Sequence, residues 1–345
     1  MRSTGLFDIQ INGYAGVDFN STALTADALD HALAAMLRSG VTACLPTLIT
    51  APEAVLAERF TALDAAVAGS RLGPTMVPGY HLEGPFLNPS LGYAGCHPAS
   101  AMVLPDAPLV ERVTRGLRRP ILLLTLAPER AGALSLIAWA RSRGIVVAMG
   151  HTAADADCVH QAADAGLALS THLGNALPQP QPKFLNPLMA QLAEDRLHAS
   201  FIADGIHIPP DALKVMLRAK GLARSILVTD ATAAAATPPG RYDFAGMQIE
   251  HAADGSVRVP GSTVLAGSAL RLDQAVRNVV AWGLASRIEA IAMASTIPAA
   301  LLGIALPNIA VEWDTDLNPV SISTNAAMGS KAPQFRGDLR DFIVG

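Results

Sequence analysis

The sequence predicts an α/β fold, a (β/α)8 TIM barrel. Three observations predict it. Eight short runs rich in Val, Ile and Leu recur along the 345 residues, and such runs read as parallel strands buried on both faces. Helical patterns lie between them, the alternation that a parallel sheet needs. The returns from helix to strand share a glycine followed by an aliphatic residue, as in Gly40-Val41, Gly144-Ile145 and Gly166-Leu167, and glycine is the residue that most readily ends a helix.

The first strand is expected over 6–11. A helix over 25–39 opens on Thr25 as N-cap and ends before Gly40. The second strand covers 41–48, and the next helix, 52–68, has Pro52 in its first turn. The third strand, 76–82, leads into an insertion over 88–107 rich in Pro and Gly. The fourth strand, 121–127, precedes a helix over 130–143, and the fifth, 145–149, one over 155–165. After the sixth strand, 168–172, comes a short helix bounded by prolines. The seventh strand, 199–203, precedes a helix over 210–220. The eighth, 225–229, opens a second insertion over 237–261, expected to be a hairpin turning at Ala253-Asp254-Gly255. Helices over 268–282 and 287–302 close the barrel. Residues 1–305 are thus assigned to the barrel and 306–345 to a C-terminal tail, in which 310–322 is expected to form a strand or hairpin. Residues 323–345 have no usable periodicity.

Hydrophobic residues make up 51% of the chain and charged residues 16%, which excludes disorder and allows a large core. The net charge of -4 leaves no basic footprint for nucleic acid. No uninterrupted apolar run approaches the roughly 18 residues of a membrane span. The start, Met1-Arg2-Ser3-Thr4-Gly5, has no apolar signal-peptide core. Three cysteines, Cys44, Cys96 and Cys158, form no C-x-x-C pair, which excludes a disulfide scaffold and predicts a cytoplasmic location. The expected partner is a small molecule, with no nucleic acid and no membrane.

Chemistry in such barrels gathers at the C-terminal ends of the strands. There the sequence places Gln10 and Asn12 (strand one), Glu83 (three), His151 (five), His172 (six), Asp204 and His207 (seven) and Asp230 (eight). Of nine histidines, five fall at these ends or in the loop behind them: His81, His97, His151, His172 and His207. One histidine alone is more often structural, and one acid alone is often a helix cap. Six strands converging on one rim shift the balance toward a site. Glu83, His151 and His172 come from different strands and meet only near the barrel axis. Two imidazoles and a carboxylate are the ligand set of a hydrolytic zinc that keeps a position open for water. Asp230, across the rim, suits a group that takes a proton from water and passes it to a leaving group. His31, His160 and His198 fall within helices or at a strand's entry and read as structural or solvated.

Seven motifs carry a family resemblance: Asp8-Ile9-Gln10-Ile11-Asn12-Gly13, His81-Leu82-Glu83-Gly84-Pro85-Phe86, Gly95-Cys96-His97-Pro98, Gly150-His151-Thr152, Thr171-His172-Leu173-Gly174-Asn175-Ala176, Ile202-Ala203-Asp204-Gly205-Ile206-His207 and Leu227-Val228-Thr229-Asp230-Ala231. In order and spacing the chain resembles the amidohydrolase superfamily, and within it the N-acetylglucosamine-6-phosphate deacetylase family, over about residues 5–303. The resemblance implies that Glu83, His151 and His172 bind the metal. It makes Asp230 the general base and then the acid, and His97 the group that polarises or orients the amide carbonyl. Asn175, Ala176 and His207 would touch the sugar or its phosphate. Many amidohydrolases carry His-x-His on strand one and hold two metals. Gln10 and Asn12 stand there as vestigial second-metal positions, and amides are poor ligands for zinc. One divalent ion is implied, zinc first and Fe, Mn or Co as alternatives, in a homodimer.

Two departures from the family bear on function. Few residues precede the first strand, so the N-terminal half of the family's small β-sandwich is expected to be missing, with 310–322 as a remnant of that domain. After Ala176 the family carries an arginine that grips the sugar phosphate. Here Lys183 is the only cation of the segment 177–187, and lysine cannot supply the bidentate fork. The expected activity is removal of the acetyl group from an N-acetylated amino sugar, N-acetylglucosamine-6-phosphate or a close relative. The alternatives are an amidohydrolase acting on a non-phosphorylated N-acyl or cyclic amide, and a barrel that binds without catalysis. An aldolase of this shape would want a lysine at a strand end, and the eight ends carry none.

Overall fold

The computed structural model describes residues 1–324. Eight parallel strands follow one another in chain order around one sheet: β1 (Leu6–Ile11), β2 (Val41–Ile49), β3 (Tyr80–Glu83), β4 (Ile121–Leu126), β5 (Val146–Met149), β6 (Leu167–Ser170), β7 (His198–Ile202) and β8 (Ser225–Val228). The sheet curls until β8 meets β1. The Asp230 amide donates to Gln10 O at 2.9 Å, and the Asn12 amide to Ala231 O at 2.7 Å. All residues of β1 and β2 are buried, because one face lines the barrel and the other lies under helices. Register sets the height of the site: Ile49 is level with Glu83, and Glu83 with Thr125. The residues just beyond these positions project from one rim.

The helices start and stop where side chains satisfy their ends. Thr25 caps Ala26–Arg38 by accepting from the Ala28 amide, and Asp155 caps Ala156–Ala165 by accepting from the Cys158 amide. Gly166 ends that second helix at a φ of 115°, a left-handed conformation natural to glycine.

Several expected elements shift, most of them at prolines and glycines. The strand expected from residue 76 begins at Tyr80, because Gly73–Met76 forms a helical turn with Pro74 at its start and Pro78 has no N–H for the ladder. The helix expected from residue 130 begins at Ala133, behind Gly132 at φ 90°. The helix expected over 268–282 covers only Leu272–Ala281, since the Ser268 backbone is held at the end of β8 by Asp230 O, 2.9 Å away. The last expected helix is two, Arg287–Met293 and Thr296–Leu302. Pro298 cannot donate to the Ala294 carbonyl, which accepts instead from the Phe7 amide of β1 at 2.8 Å. A helix with no counterpart in the sequence reading, Ala107–Val113, is capped by Asp106.

The insertion over 237–261 holds three antiparallel strands, Gly240–Phe244, Met247–His251 and Val257–Arg258. Its hairpin tip is Ala245-Gly246, both at positive φ as a type I′ turn requires. The expected turn at residues 253–255 joins the second strand to the third. Near the C-terminal end of the described chain, Ile309–Trp313 and Pro319–Thr324 form the expected hairpin. Arg2–Thr4, given no element by the sequence, joins it as a third strand with Ser3 opposite Val311. Trp313 of this sheet and Leu317 of its connecting turn are buried in the main core. The rest of the tail, 325–345, lies outside the described residues.

Candidate active site

Glu83, the last residue of β3, is buried at the centre of the rim. Its Oε1 lies 3.0 Å from His172 Nε2 and 3.6 Å from His151 Nε2, and its Oε2 lies 3.9 Å from His97 Nε2. The ring centroids of His97 and His151 are 4.5 Å apart, and those of His151 and His172 5.0 Å. Ligand atoms of Glu83, His97 and His151 all lie within 4.8 Å of one another, so this cluster can hold a metal ion. Two atoms bonded tetrahedrally at about 2.0–2.1 Å stand roughly 3.3–3.4 Å apart. The separations of Glu83 from His172 and His151 bracket that value.

Hydrogen bonds fix which ring atoms face inward. His151 Nδ1 lies 2.7 Å from Tyr93 O. A carbonyl only accepts, so Nδ1 carries the proton and the Nε2 lone pair faces the Glu83 carboxylate. Two electron-rich groups then oppose each other, and a cation between them resolves the conflict. An outer partner that sets a ligand's tautomer in this way is characteristic of metal sites. His97 differs, because its Nδ1 partner is the Thr50 hydroxyl at 2.9 Å. That hydroxyl also reaches Glu83 O, but at 3.4 Å. Its proton favours the shorter contact, which leaves His97 Nε2–H as a donor aimed into the site.

Asp230 follows β8, half-buried across the rim. Its Oδ1 accepts from Asn12 Nδ2 at 2.7 Å and from Gln10 Nε2 at 3.4 Å, and Gln10 Nε2 lies 3.0 Å from Glu83 Oε1. Gln10 thus bridges the two acids with one N–H group, and Asn12 holds Asp230 alone. Burial, reinforced by the Glu83 charge, pushes the Asp230 carboxyl up to about 6 against His172 and the Asn12 bond. Burial also opposes the Glu83 charge, but His172, by hydrogen bond and by charge, outweighs it and holds that carboxyl well below its ordinary range. Burial and the nearby His151 push His97 down to about 3, which keeps it neutral.

The backbone is strained here. His151, His172, Ala176 and Asp230 have φ of 52°, 31°, 52° and 50°, a conformation costing an L-residue about 1–2 kcal/mol. Local bonds hold it. The His172 amide donates to Ser200 Oγ at 2.8 Å, and the Asn175 side chain donates to His172 O at 2.9 Å. Gly95, also at positive φ, lies over His151, where a Cβ would come within 3.1 Å of the imidazole. That close passage delivers His97 to the site.

His207 is paired with Asp204, whose Oδ2 lies 2.6 Å from Nδ1, and its charge acts on Asp230. Asn175 and Ala176 sit on the turn beyond His172. Lys183 is exposed on the loop after them. His81 lies one layer deeper between Thr47 and Thr125, at 3.2 and 2.8 Å, and is structural. The motif-bearing strand ends were those of six strands. The other two ends, of β2 and β4, carry Thr50 and Glu129, which the same positional rule identifies. Tyr93 contributes a backbone carbonyl, for which no residue type is a signal.

The amidohydrolase family matches this chain over residues 4–345. The chain belongs to the amidohydrolase family. It is 33% identical over 298 residues to N-acetylgalactosamine-6-phosphate deacetylase of Escherichia coli O157:H7, covering 86% of this chain and 77% of that one. It is 33% identical over 328 residues to N-acetylglucosamine-6-phosphate deacetylase of Danio rerio, covering 90% and 78%. The solved structure of N-acetyl-D-glucosamine-6-phosphate deacetylase from Mycobacterium smegmatis in complex with N-acetyl-D-glucosamine-6-phosphate superposes with a TM-score of 0.85 at 30% identity, covering 94% of this amidohydrolase and 85% of that chain. Both likenesses agree with the barrel and with an enzyme acting on C–N amide bonds. Among the described residues of this amidohydrolase, no helix is long and apolar enough to cross a membrane.

Proposed function

We propose that this amidohydrolase removes the acetyl group of an N-acetylhexosamine 6-phosphate, with N-acetylglucosamine-6-phosphate as the leading substrate. The observation that carries the reading is the convergence of Glu83, His97, His151 and His172 opposite Asp230, in a chain whose relatives are named as deacetylases of two such sugars. Glu83, His151 and His172 would hold one divalent ion, zinc in this reading, which supplies Lewis-acid polarisation of the amide carbonyl and a more acidic attacking water. Asp230 accepts the proton of that water as its oxygen adds to the carbonyl carbon, then delivers the proton to the amine nitrogen as the C–N bond breaks. Asn12 and Gln10 bind one carboxylate oxygen of Asp230 and leave the other for this transfer. His97 orients the carbonyl through Nε2–H. Asn175, Ala176 and His207 contact the sugar or its phosphate, with Lys183 as a point charge nearby. A cytoplasmic homodimer completes the proposal.

One observation favours a second reading, an N-acyl substrate without phosphate: the only cation of the segment 177–187, Lys183, is exposed. Acetate release from the glucosamine and galactosamine 6-phosphates and from their unphosphorylated forms separates the two. Release from a phosphorylated sugar alone supports the proposal. Release from the unphosphorylated sugars at equal rate moves the substrate to the second reading.

A further inference from the structure

Glu129 lies three residues beyond the end of β4, and its carboxylate uses both oxygens. Oε1 accepts from Ala153 N at 2.7 Å and from Asn88 Nδ2 at 2.8 Å, and Oε2 accepts from the Thr152 hydroxyl at 2.5 Å. Thr152 and Ala153 directly follow His151, whose backbone sits at φ 52°. Asn88 belongs to the loop beyond β3, the strand that ends in Glu83. The Asn88 amide donates to His151 O at 3.1 Å, and its Oδ1 accepts from the Ser90 amide at 2.9 Å. Ser90 opens the turn containing Tyr93, since Ser90 O accepts from the Tyr93 amide at 3.1 Å. Tyr93 O in turn accepts from His151 Nδ1.

Two routes therefore run from one carboxylate to one imidazole. The first, through Thr152 and Ala153, holds the left-handed backbone of His151. The second, through Asn88 and the 90–93 turn, sets the carbonyl that fixes its ring and tautomer. We propose that Glu129 is a positioning residue that aims His151 Nε2 at Glu83 and so governs how tightly the site binds its metal. Its contacts are with the turns that carry His151 and follow Glu83, and not with the reacting atoms. A bonded carboxylate suits this place, because three donors converge on it and an apolar side chain would leave them unpaired.

The inference rests on the reading of His151 as a metal ligand. Its test measures zinc affinity by chelator competition, with kcat, KM and the unfolding midpoint of the metal-stripped protein, for wild type, Glu129→Ala, Glu129→Gln, Asn88→Ala and His151→Ala. Glu129→Ala is expected to weaken zinc binding by about 10–100-fold and to lower kcat while leaving KM within about threefold. Glu129→Gln keeps one acceptor oxygen and is expected to recover part of the affinity. Asn88→Ala cuts the second route alone, is expected to weaken binding less, and stands in if Glu129→Ala does not fold. Zinc affinity within twofold of wild type in the Glu129 and Asn88 variants, with only the unfolding midpoint lowered, overturns the inference, while loss of zinc in His151→Ala still upholds the metal site. Wild-type zinc affinity in His151→Ala overturns the ligand assignment and this inference with it.

Discussion

Replacing Asn12 with alanine removes the shortest hydrogen bond to Asp230, 2.7 Å from Nδ2 to Oδ1. It strands no donor, because Asn12 Oδ1 accepts from none. A hydrogen bond to a charged acceptor contributes about 1.5–3 kcal/mol, and one pKa unit is about 1.4 kcal/mol. Loss of a donor to the ionised form should therefore raise the Asp230 pKa by about 1–2 units, toward the lower figure if water takes the vacated place. Asp230 must be ionised to accept a proton, so activity falls as the pH drops through its pKa. The acid limb of kcat/KM against pH should move to higher pH by about one unit in the variant. A bound dication lowers the limb in both enzymes, and the comparison reads the difference. The assay is acetate release from pH 4.5 to 9 at saturating metal. An unmoved acid limb, with activity merely scaled down, would refute the assignment of that limb to Asp230.

His97→Gln and His151→Ala should part company. The first is expected to keep one metal per chain while kcat falls about 10²–10³-fold, as for the loss of a donor to a developing oxyanion, and the second to lose the metal, both read by elemental analysis beside kinetics. Burial pushes the Asp8 carboxyl up to about 7. Its folded pKa is thus above its unfolded one, so the stability it contributes is present below about pH 4 and is lost as the pH rises through about 7. Asp8→Asn should flatten the decline in denaturation free energy between about pH 4 and pH 7, and an unchanged slope would assign the decline to other groups. Gly95→Ala, which puts a methyl 3.1 Å from the His151 imidazole at a backbone φ of 59°, should reduce kcat and also lower the unfolding midpoint, by the equivalent of about 1–2 kcal/mol.

Much of this site was legible because a parallel barrel carries its chemistry at strand ends, where residue type and position coincide. Glu83, His151, His172 and Asp230 each end or follow a strand, and the register that makes them level comes from the barrel. The roles of Gln10 and Asn12 were legible only as an absence of imidazole. Their positive role, Gln10 donating to both acids and Asn12 to Asp230, depends on side-chain directions across β1, β3 and β8. The tautomer of His151 hangs on the carbonyl of Tyr93, 58 residues away in sequence, and backbone groups carry no residue signature. The misplaced boundaries have local causes. Pro298 splits a helix whose apolar periodicity continues through the break, and Ala245 adopts a positive φ that glycine at the expected turn suggested elsewhere. The short Arg2–Thr4 strand was hidden because three residues are too few for a periodicity, and its pairing with Ile309–Trp313 is purely long-range.

In the proposed reaction amide hydrolysis depends on a metal ion, with Asp230 as the proton carrier. The most direct test is acetate release from N-acetylglucosamine-6-phosphate by zinc-loaded wild type and Asp230→Asn, with bound metal counted in both. Turnover is expected from the wild type, and the variant is expected to keep its zinc while losing activity by at least about 10²-fold. Equal turnover by the two proteins, or a metal-replete wild type that releases no acetate from any amide offered, would contradict it.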